Sequence, residues 1–174
     1  MKIENSTLHI NDVKYYVREA SLEDEKIIMG LYHSAIGTEF CTWSLDYPNM
    51  DTFFTDVNDE NLFCICNESG EIIGAVSIDK DENTDKLECW NKSLGKMGEL
   101  SRMVIREDYQ NKGIAPEFIK FVIDIMKDRG YKSVHYLVSK HHKKALKAYR
   151  KLEFTKVSEC DLFEHEWFCY EKIL

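Results

Sequence analysis

Residues 110–115, with the sequence QNKGIA, contain residue types that could bind an anionic group. An apolar strand pattern precedes them and an apolar helix pattern follows, so the first peptide N–H groups of that helix have no partner within it. Unpaired N–H groups and the positive end of the helix dipole favour an anion such as a phosphate. Gly113 permits a left-handed backbone, and Lys112 adds a positive charge. The segment indicates a phosphate-binding turn, although a lone glycine at a helix start is also typical of an ordinary turn.

The pattern of apolar residues predicts the elements that must position this turn. Apolar runs bounded by turn residues are typical of strands, which we predict at residues 8–10, 13–17, 62–66, 72–79, 100–105, 134–138, 154–157 and 167–173. Apolar residues at helical spacing predict helices at residues 22–36, 50–57, 114–129 and 141–152. Ser21 and Gly130 have the residue types that begin and end such helices. The polar residues 80–96 are predicted to form a long connection.

This order of strands and helices predicts a single α/β domain over residues 1–174. Asn11 and Asp12 separate the first two strands and are typical of a hairpin turn, so the early part of the sheet is expected to be mostly antiparallel. Residues 100–138 read as a strand–helix–strand unit, which makes the central sheet a mixed one flanked by helices. No internal repeat and no linker long enough to divide the chain is visible.

Composition and charge disfavour several classes of protein. The net charge of −8 disfavours general nucleic-acid binding. No apolar run reaches the length of a membrane span, and the first ten residues lack the apolar core of a signal peptide. The six cysteines form no CxxC pair, so we expect no metal site and a reduced, cytoplasmic location. Residues 140–151 contain six Lys or Arg and no acid, which fits either a local anionic ligand or a solvated helix face.

Residues 99–115, with the sequence ELSRMVIREDYQNKGIA, resemble the acyl-CoA-binding motif of the GNAT superfamily of N-acetyltransferases. That motif is a strand, then [Q/R]xxGx[G/A], then a helix, and Gln110, Gly113 and Ala115 fill its defined positions. The resemblance continues through residues 131–154, which look like the family's next strand, a helix that contains a tyrosine, and the strand beyond. The hairpin, helices and strands before the motif also fit, so the resemblance covers most of the chain.

The resemblance implies that acetyl-CoA is the co-substrate. In the family, the backbone of the motif strand binds the pantetheine arm, and the corresponding residues here are Met103, Val104 and Ile105. The following turn holds the pyrophosphate, and its residues here are Gln110, Asn111, Lys112, Gly113, Ile114 and Ala115. His142, at the start of the tyrosine helix, is also expected near the cofactor. A bulge in the motif strand commonly separates it from the next strand and makes room for the thioester.

The resemblance also implies which residues carry out acyl transfer to an amine. Glu99 is the expected general base, because it has the spacing before Gln110 that some family members use for an acidic base. Tyr149 is the expected acid that protonates the departing thiolate, and the backbone N–H of Val104 is the expected donor to the oxyanion. Two alternatives stay open: Glu99 is an ordinary strand-end carboxylate, and Tyr149 is a core residue of its helix. A water chain could also serve as the base.

The acceptor pocket is expected to involve the first two helices and their connection. Trp43 and Tyr47 could line it, and Glu39 or Asp46 could attract a cation, although a packed loop that covers the core is the alternative for each residue. Two positions depart from the family pattern. His142 replaces a frequent Asn, and Glu153 replaces a frequent Gly whose left-handed conformation a glutamate adopts less easily.

The chain is therefore expected to be an acetyl-CoA-dependent N-acetyltransferase that acts on a primary amine of a small molecule or peptide. A non-catalytic acyl-CoA-binding sensor or scaffold is the first alternative, and a fold-level lookalike that binds no CoA is the second. The expected partners include no nucleic acid and no membrane, and a homodimer is possible. The sequence does not identify the acceptor amine or the length of the acyl chain.

Overall fold

The computed structural model describes residues 5–39 and 41–174, and their contacts form two compact units. The first contains the described part of residues 1–78 together with Ser101–Phe118, and the second contains Asp79–Leu100 and Ile119–Leu174. The strands are β1 (Ser6–Ile10), β2 (Val13–Glu19), β3 (Leu62–Cys66), β4 (Ile72–Asp79), β5 (Met97–Ile105), β6 (Ser133–Ser139), β7 (Thr155–Leu162) and β8 (His165–Ile173). The helices are α1 (Glu25–Ala35), α2 (Met50–Asn58), α3 (Glu82–Asp85), α4 (Ile114–Asp128) and α5 (Lys143–Arg150). The single domain stays a prediction.

In the first unit, β1 to β4 and the second half of β5 are neighbours in chain order. β1 and β2 form the predicted antiparallel hairpin, and its turn residues Asn11 and Asp12 have φ values of 49° and 64°, as a type I′ turn requires. The pairs β2–β3 and β3–β4 are also antiparallel. The carbonyl of Ile73 in β4 accepts a hydrogen bond from the N–H of Arg106, just after β5, at 2.8 Å.

The core of the first unit lies between its helices and strands. Ser21 begins the first helical segment: its carbonyl accepts from the N–H of Asp24 at 3.0 Å, and its own N–H donates to the Asp24 carboxylate at 2.8 Å. The apolar stripes of α1 and α2 then pack against the strands. The buried cluster consists of Ile28, Met29, Leu31, Tyr32, Phe53, Leu62, Cys64, Cys66, Ile72, Ala75 and Val104. This packing fixes both ends of the connection between α1 and α2.

In the second unit, the first half of β5 is followed across the sheet by β6, β8 and β7. β5 and β6 are parallel, with Met97 opposite Ser133 and Glu99 opposite His135, whereas β6–β8 and β8–β7 are antiparallel. The eight strands thus give the predicted fold class, α/β with a mixed and mostly antiparallel sheet and flanking helices. A short strand–helix–strand connection accounts for the parallel pair.

Most predicted bounds differ from the structure by three residues or fewer, and the larger departures lie in the second unit. Residues 80–96 are not a plain connection, because they contain α3 and a 3-10 turn at Lys92–Leu94. The Asp81 side chain caps α3, and the buried indole N–H of Trp90 donates to the carbonyl of Thr84 at 2.8 Å. β5 begins at Met97 and β7 ends at Leu162, so both are longer than predicted. These segments are too short or too polar to show a periodic apolar pattern.

Candidate functional site

The turn between β5 and α4 has the backbone of an anion-binding nest. After a 3-10 turn at Glu107–Tyr109, Asn111 and Gly113 have φ values of 60° and 77°, and α4 begins at Ile114. Within the described chain, the N–H groups of residues 111–113 donate to no protein acceptor. N–H groups left unpaired beside a helix start are donors for a phosphate.

Side-chain amides fix the shape of this turn. The Gln110 amide donates to the carbonyl of Ile105 at 2.9 Å, and the Asn11 amide donates to the carbonyl of Lys112 at 3.1 Å. A Cβ atom built on Gly113 would meet nothing closer than 3.8 Å. A glycine suits this position because the backbone is left-handed, and not because neighbouring atoms leave no room for a side chain. The hydrogen bond from the Gln110 side chain thus joins the turn to Ile105, the last residue of β5.

The motif strand has an irregular backbone at Arg102, which the sequence did not reveal. This residue has a φ of 51° within β5, although it is not a glycine and both neighbouring segments are extended. In the second unit, the ladder between β5 and β6 covers residues 97–99 and stops there. An isolated left-handed residue interrupts the extended backbone of a strand, so it changes the direction of the side chains around it.

Arg102 lies at the centre of a buried polar group that the sequence did not reveal. Its Nε and Nη2 donate to Oδ2 and Oδ1 of Asp56 in α2, each at 2.8 Å, and its side chain is 2% exposed. The hydroxyl of Ser77 in β4 donates to Asp56 Oδ2 at 2.7 Å. Arg102 Nη1 donates to the hydroxyl of Tyr47 at 2.9 Å. We call these four residues the Arg102 cluster.

The residues predicted for the acceptor pocket lie in the connection between α1 and α2, which we call the acceptor segment (residues 36–39 and 41–49). Tyr47 is 41% exposed and belongs to the Arg102 cluster. Trp43 is half-buried and meets the ring of Tyr32 edge to face, with 5.4 Å between ring centroids. Glu39 and Asp46 are exposed. The structure therefore brings Tyr47 and Trp43 to buried polar and aromatic groups of the first unit, whereas Glu39 and Asp46 face solvent.

The predicted base, Glu99, belongs to the second unit and is buried. It is the ladder partner of His135 in β6, so the two side chains leave the same face of the sheet. His135 is stacked on Trp90, with ring centroids 4.5 Å apart, and its Nε2 lies 3.2 Å from Oδ1 of Asp85. Burial lowers the pKa of His135 to about 4, so its ring is neutral at pH 7. Glu99 thus lies in a buried polar row and not at an exposed strand end; its role as base stays a prediction.

The predicted acid, Tyr149, belongs to α5 in the second unit. Its ring lies 4.3 Å from the ring of Tyr136, centroid to centroid, and Tyr136 also contacts Phe154 and Tyr170. Burial raises the pKa of Tyr149 to about 12, so the hydroxyl keeps its proton at neutral pH. A protonated phenol can donate to a developing thiolate, which is the chemistry predicted for this residue.

The two departures from the family pattern both have a local structural role. His142 is the N-cap of α5, where its Nδ1 accepts a hydrogen bond from the N–H of Ala145 at 3.1 Å, as an asparagine side chain would. Glu153 has a φ of 58° after α5, so it adopts the left-handed conformation that we expected it to disfavour. Its carboxylate lies 3.3 Å from Lys172 Nζ. The turn after the tyrosine helix therefore forms without a glycine.

Among the described residues, no helix has both the length and the apolar character that a membrane span needs. No group of three or more His, Cys, Asp or Glu side chains in that part of the chain is arranged to hold a metal ion.

Comparison with known proteins agrees with the geometry. The sequence model of the acetyltransferase (GNAT) family matches residues 28–154. Among curated proteins, none matches significantly. A GNAT-family acetyltransferase from Listeria monocytogenes has a TM-score of 0.77 at 13% identity, with 97% of this chain and 100% of that chain covered. One from Streptococcus agalactiae has 0.76 at 17%, covering 96% and 98%. A ribosomal-protein-alanine N-acetyltransferase from Brucella melitensis has 0.73 at 14%, covering 91% and 99%.

These structural likenesses show the fold, and the family model covers well over half of the chain. The turn at residues 111–113, the left-handed residue Arg102 before it and α5, which contains Tyr149, all fall inside the matched residues. The chain therefore belongs to the GNAT family of acetyltransferases and is an enzyme of acyl transfer.

Proposed function

We propose that the protein transfers the acetyl group of acetyl-CoA to a primary amine of a small molecule or peptide. The observation that supports acetyl-CoA as the co-substrate is the turn at residues 111–113, whose N–H groups have no protein acceptor within the described chain. Left-handed Asn111 and Gly113 give this turn the concave backbone that a diphosphate requires. The further residues proposed to contact the cofactor are Met103, Val104, Ile105, Gln110, Lys112, Ile114, Ala115 and His142.

The charge distribution supports an amine as the acceptor. Residues 27–79 contain nine acidic residues and no Lys or Arg. These residues include the acceptor segment, so a cationic substrate would meet a field of favourable sign there. One structural neighbour is named a ribosomal-protein-alanine N-acetyltransferase, which supports keeping peptide amines among the candidates.

In the proposed reaction, bound acetyl-CoA supplies the acyl thioester that the amine attacks. Glu99 accepts the proton that the ammonium must lose before its lone pair can react. The N–H of Val104 donates to the carbonyl oxygen as negative charge develops there. Tyr149, whose pKa burial raises to about 12, holds a proton that it can give to the leaving sulfur. General acid or base catalysis of this kind typically contributes about 10²- to 10⁴-fold in rate.

The test is turnover of acetyl-CoA with a panel of primary amines, with release of free thiol as the readout. We expect thiol release that depends on one class of amine. A protein that binds CoA but turns over none of the amines would support the non-catalytic acyl-CoA-binding module. Replacing Tyr149 with Phe separates the two further, since an enzyme should lose turnover while its affinity for CoA stays within a few-fold.

The cofactor site has its own test with a matched glycine. Gly113→Ala should weaken CoA binding by about tenfold, because a Cβ disfavours the left-handed backbone and reshapes the nest. Gly70, in the turn between β3 and β4, has a φ of 82° and open space around it, so Gly70→Ala carries the same conformational cost. Calorimetry with CoA should show weaker binding for the Gly113 variant alone. Equal affinities of both variants would contradict the assignment of the turn.

The six cysteines are free thiols in the structure, which supports the proposal of a reducing, cytoplasmic location. A homodimer also stays a proposal, and sedimentation of the purified chain would measure it.

A further inference from the structure

Arg102 combines two features that a strand residue in a core rarely has. Its backbone is left-handed at a φ of 51°, and its guanidinium is almost fully buried. Each feature is unfavourable by itself, because a Cβ crowds the left-handed backbone and a buried charge loses its hydration. Residues held in such conformations cluster at functional sites, where the surrounding structure compels them.

Asp56 and Ser77 leave the guanidinium a single orientation. Two parallel hydrogen bonds of 2.8 Å join Arg102 to the carboxylate of Asp56, and the Ser77 hydroxyl holds one oxygen of that carboxylate at 2.7 Å. Asp56 is itself buried. A bidentate pair supported from a third side fixes both position and angle of the Arg102 side chain. The pair is also neutral, so Arg102 presents no net positive charge to a cationic ligand.

The fixed guanidinium in turn holds the acceptor segment. Arg102 Nη1 donates to the Tyr47 hydroxyl at 2.9 Å, and Tyr47 is half-exposed. Trp43 of the same segment packs edge to face on Tyr32, which is fully buried. The segment is thus attached at one point by a charge-assisted hydrogen bond and at another by a ring contact. The bond from Arg102 joins the segment to the motif strand.

We propose that Arg102 is a positioning residue for the acceptor amine, which it serves by fixing Tyr47 and with it the acceptor segment. The proposal rests on the proposed function. It assigns Arg102 to the acceptor, because the hydrogen bonds described above join it to α2 and the acceptor segment. Tyr47 then lines the acceptor site from a fixed position. Because the Arg102–Asp56 pair is neutral, it does not oppose the attraction of a cationic amine by the acidic residues of the acceptor segment.

The test uses kinetics with an amine that the wild type acetylates. Tyr47→Phe and Arg102→Lys should each raise the KM for the amine by about fivefold or more, the effect of losing one hydrogen bond to a charged group. The KM for acetyl-CoA should stay within twofold. The double variant should raise the KM for the amine no further than Arg102→Lys does, because that substitution already removes the contact to Tyr47. Additive effects, or equal increases in both KM values, would overturn the proposal.

Two matched variants serve as controls. Tyr16→Phe removes a tyrosine hydroxyl of the same unit outside the Arg102 cluster. Arg18→Lys alters another bidentate pair of that unit, since Arg18 donates to Asp24 at 2.7 and 2.9 Å. Neither control should change the KM for the amine. An increase in either, as large as in the test variants, would show a general loss of structure and contradict the assignment.

Hydrogen exchange tests the structural step without any substrate. In Tyr47→Phe, peptides from residues 41–49 should exchange faster than in the wild type, whereas peptides from β3 should not change. Unchanged exchange in residues 41–49 would overturn the proposed attachment even if the enzyme is active. A wild type that turns over no amine would instead overturn the proposed function, and the role of Arg102 toward an acceptor with it.

Discussion

Each of the two units contains a pair of ionisable side chains with at least one buried member, and the two pairs differ in how fully they are hydrogen-bonded. In the first unit, Arg102 and Asp56 share two bonds of 2.8 Å, with Ser77 and Tyr47 as further partners. In the second, His135 Nε2 lies 3.2 Å from Asp85 Oδ1 without the alignment of a hydrogen bond.

The difference shows what each pair can do. The Arg102–Asp56 pair is permanently charged and geometrically fixed, so it can hold a neighbouring segment in place. His135 is fully buried, and neither ring nitrogen has a hydrogen-bond partner in the described residues, so the neutral ring is the stable form. A pair of this kind responds to pH and cannot serve as a rigid support.

Breaking the hydrogen-bonded Arg102–Asp56 pair should have the largest effect on stability. Asp56→Ala leaves the Arg102 guanidinium buried without its counter-ion, so the free energy of unfolding should fall by about 3–5 kcal/mol. Urea denaturation at pH 7 measures it. Glu82→Ala breaks the exposed Lys86–Glu82 pair of 3.1 Å and should cost less than about 1 kcal/mol. Replacing both members, Asp56→Leu with Arg102→Met, should recover much of the loss; a double variant as unstable as Asp56→Ala would contradict the comparison.

Removing the histidine should change how stability depends on pH. The pKa of His135 is about 4 when folded, below the value of about 6.5 for an unfolded chain, so the unfolded state binds the proton first. This contribution is fully present above pH 6.5 and is lost as the pH falls toward 4, by up to about 3 kcal/mol. His135→Phe should therefore lose less stability than the wild type between pH 7 and 4.5 in urea denaturation. His33→Gln, at an exposed histidine, should follow the wild type; parallel curves for all three proteins would refute the prediction.

Removing one supporting bond should have the smallest effect. Ser77→Ala deletes the hydroxyl that donates to Asp56, while both bonds from Arg102 remain. We expect the free energy of unfolding to fall by about 1–2 kcal/mol, since the acceptor is a charged group. Thermal denaturation measures the change. A loss as large as that of Asp56→Ala would mean that Ser77 is essential to the pair, and the two-bond description would be incomplete.

Much of the fold could be predicted because its elements show strong apolar periodicity. β3 and β4 have the predicted bounds, and α4 ends beside the predicted Gly130. There the N–H of Tyr131 bonds the carbonyl of Met126, as a helix ending on glycine requires. α3 was missed because a helix of four residues completes no apolar repeat. Periodicity thus predicts long elements and is silent on short ones.

The candidate site was predictable only where its residues are close in sequence. The family resemblance of residues 99–115 indicated the turn at residues 110–115 and the strand before it, which the structure forms as β5 and the turn before α4. The Arg102 cluster was missed because Asp56 and Arg102 are 46 positions apart and no local pattern links them. An arginine inside an apolar strand pattern and an aspartate beside the apolar stripe of α2 were the available signals. Each is weak alone, because either residue is ordinarily exposed.

The hydrogen bond from Asn11 to the carbonyl of Lys112 joins the first hairpin to the turn before α4. Asn11 lies outside residues 28–154, the part that matches the family. A shortened chain that begins after this hairpin would still contain all of residues 99–115, yet the turn would have lost a hydrogen bond that supports it from outside the motif. Boundaries for expression should accordingly be drawn from this contact and not from the extent of the family match.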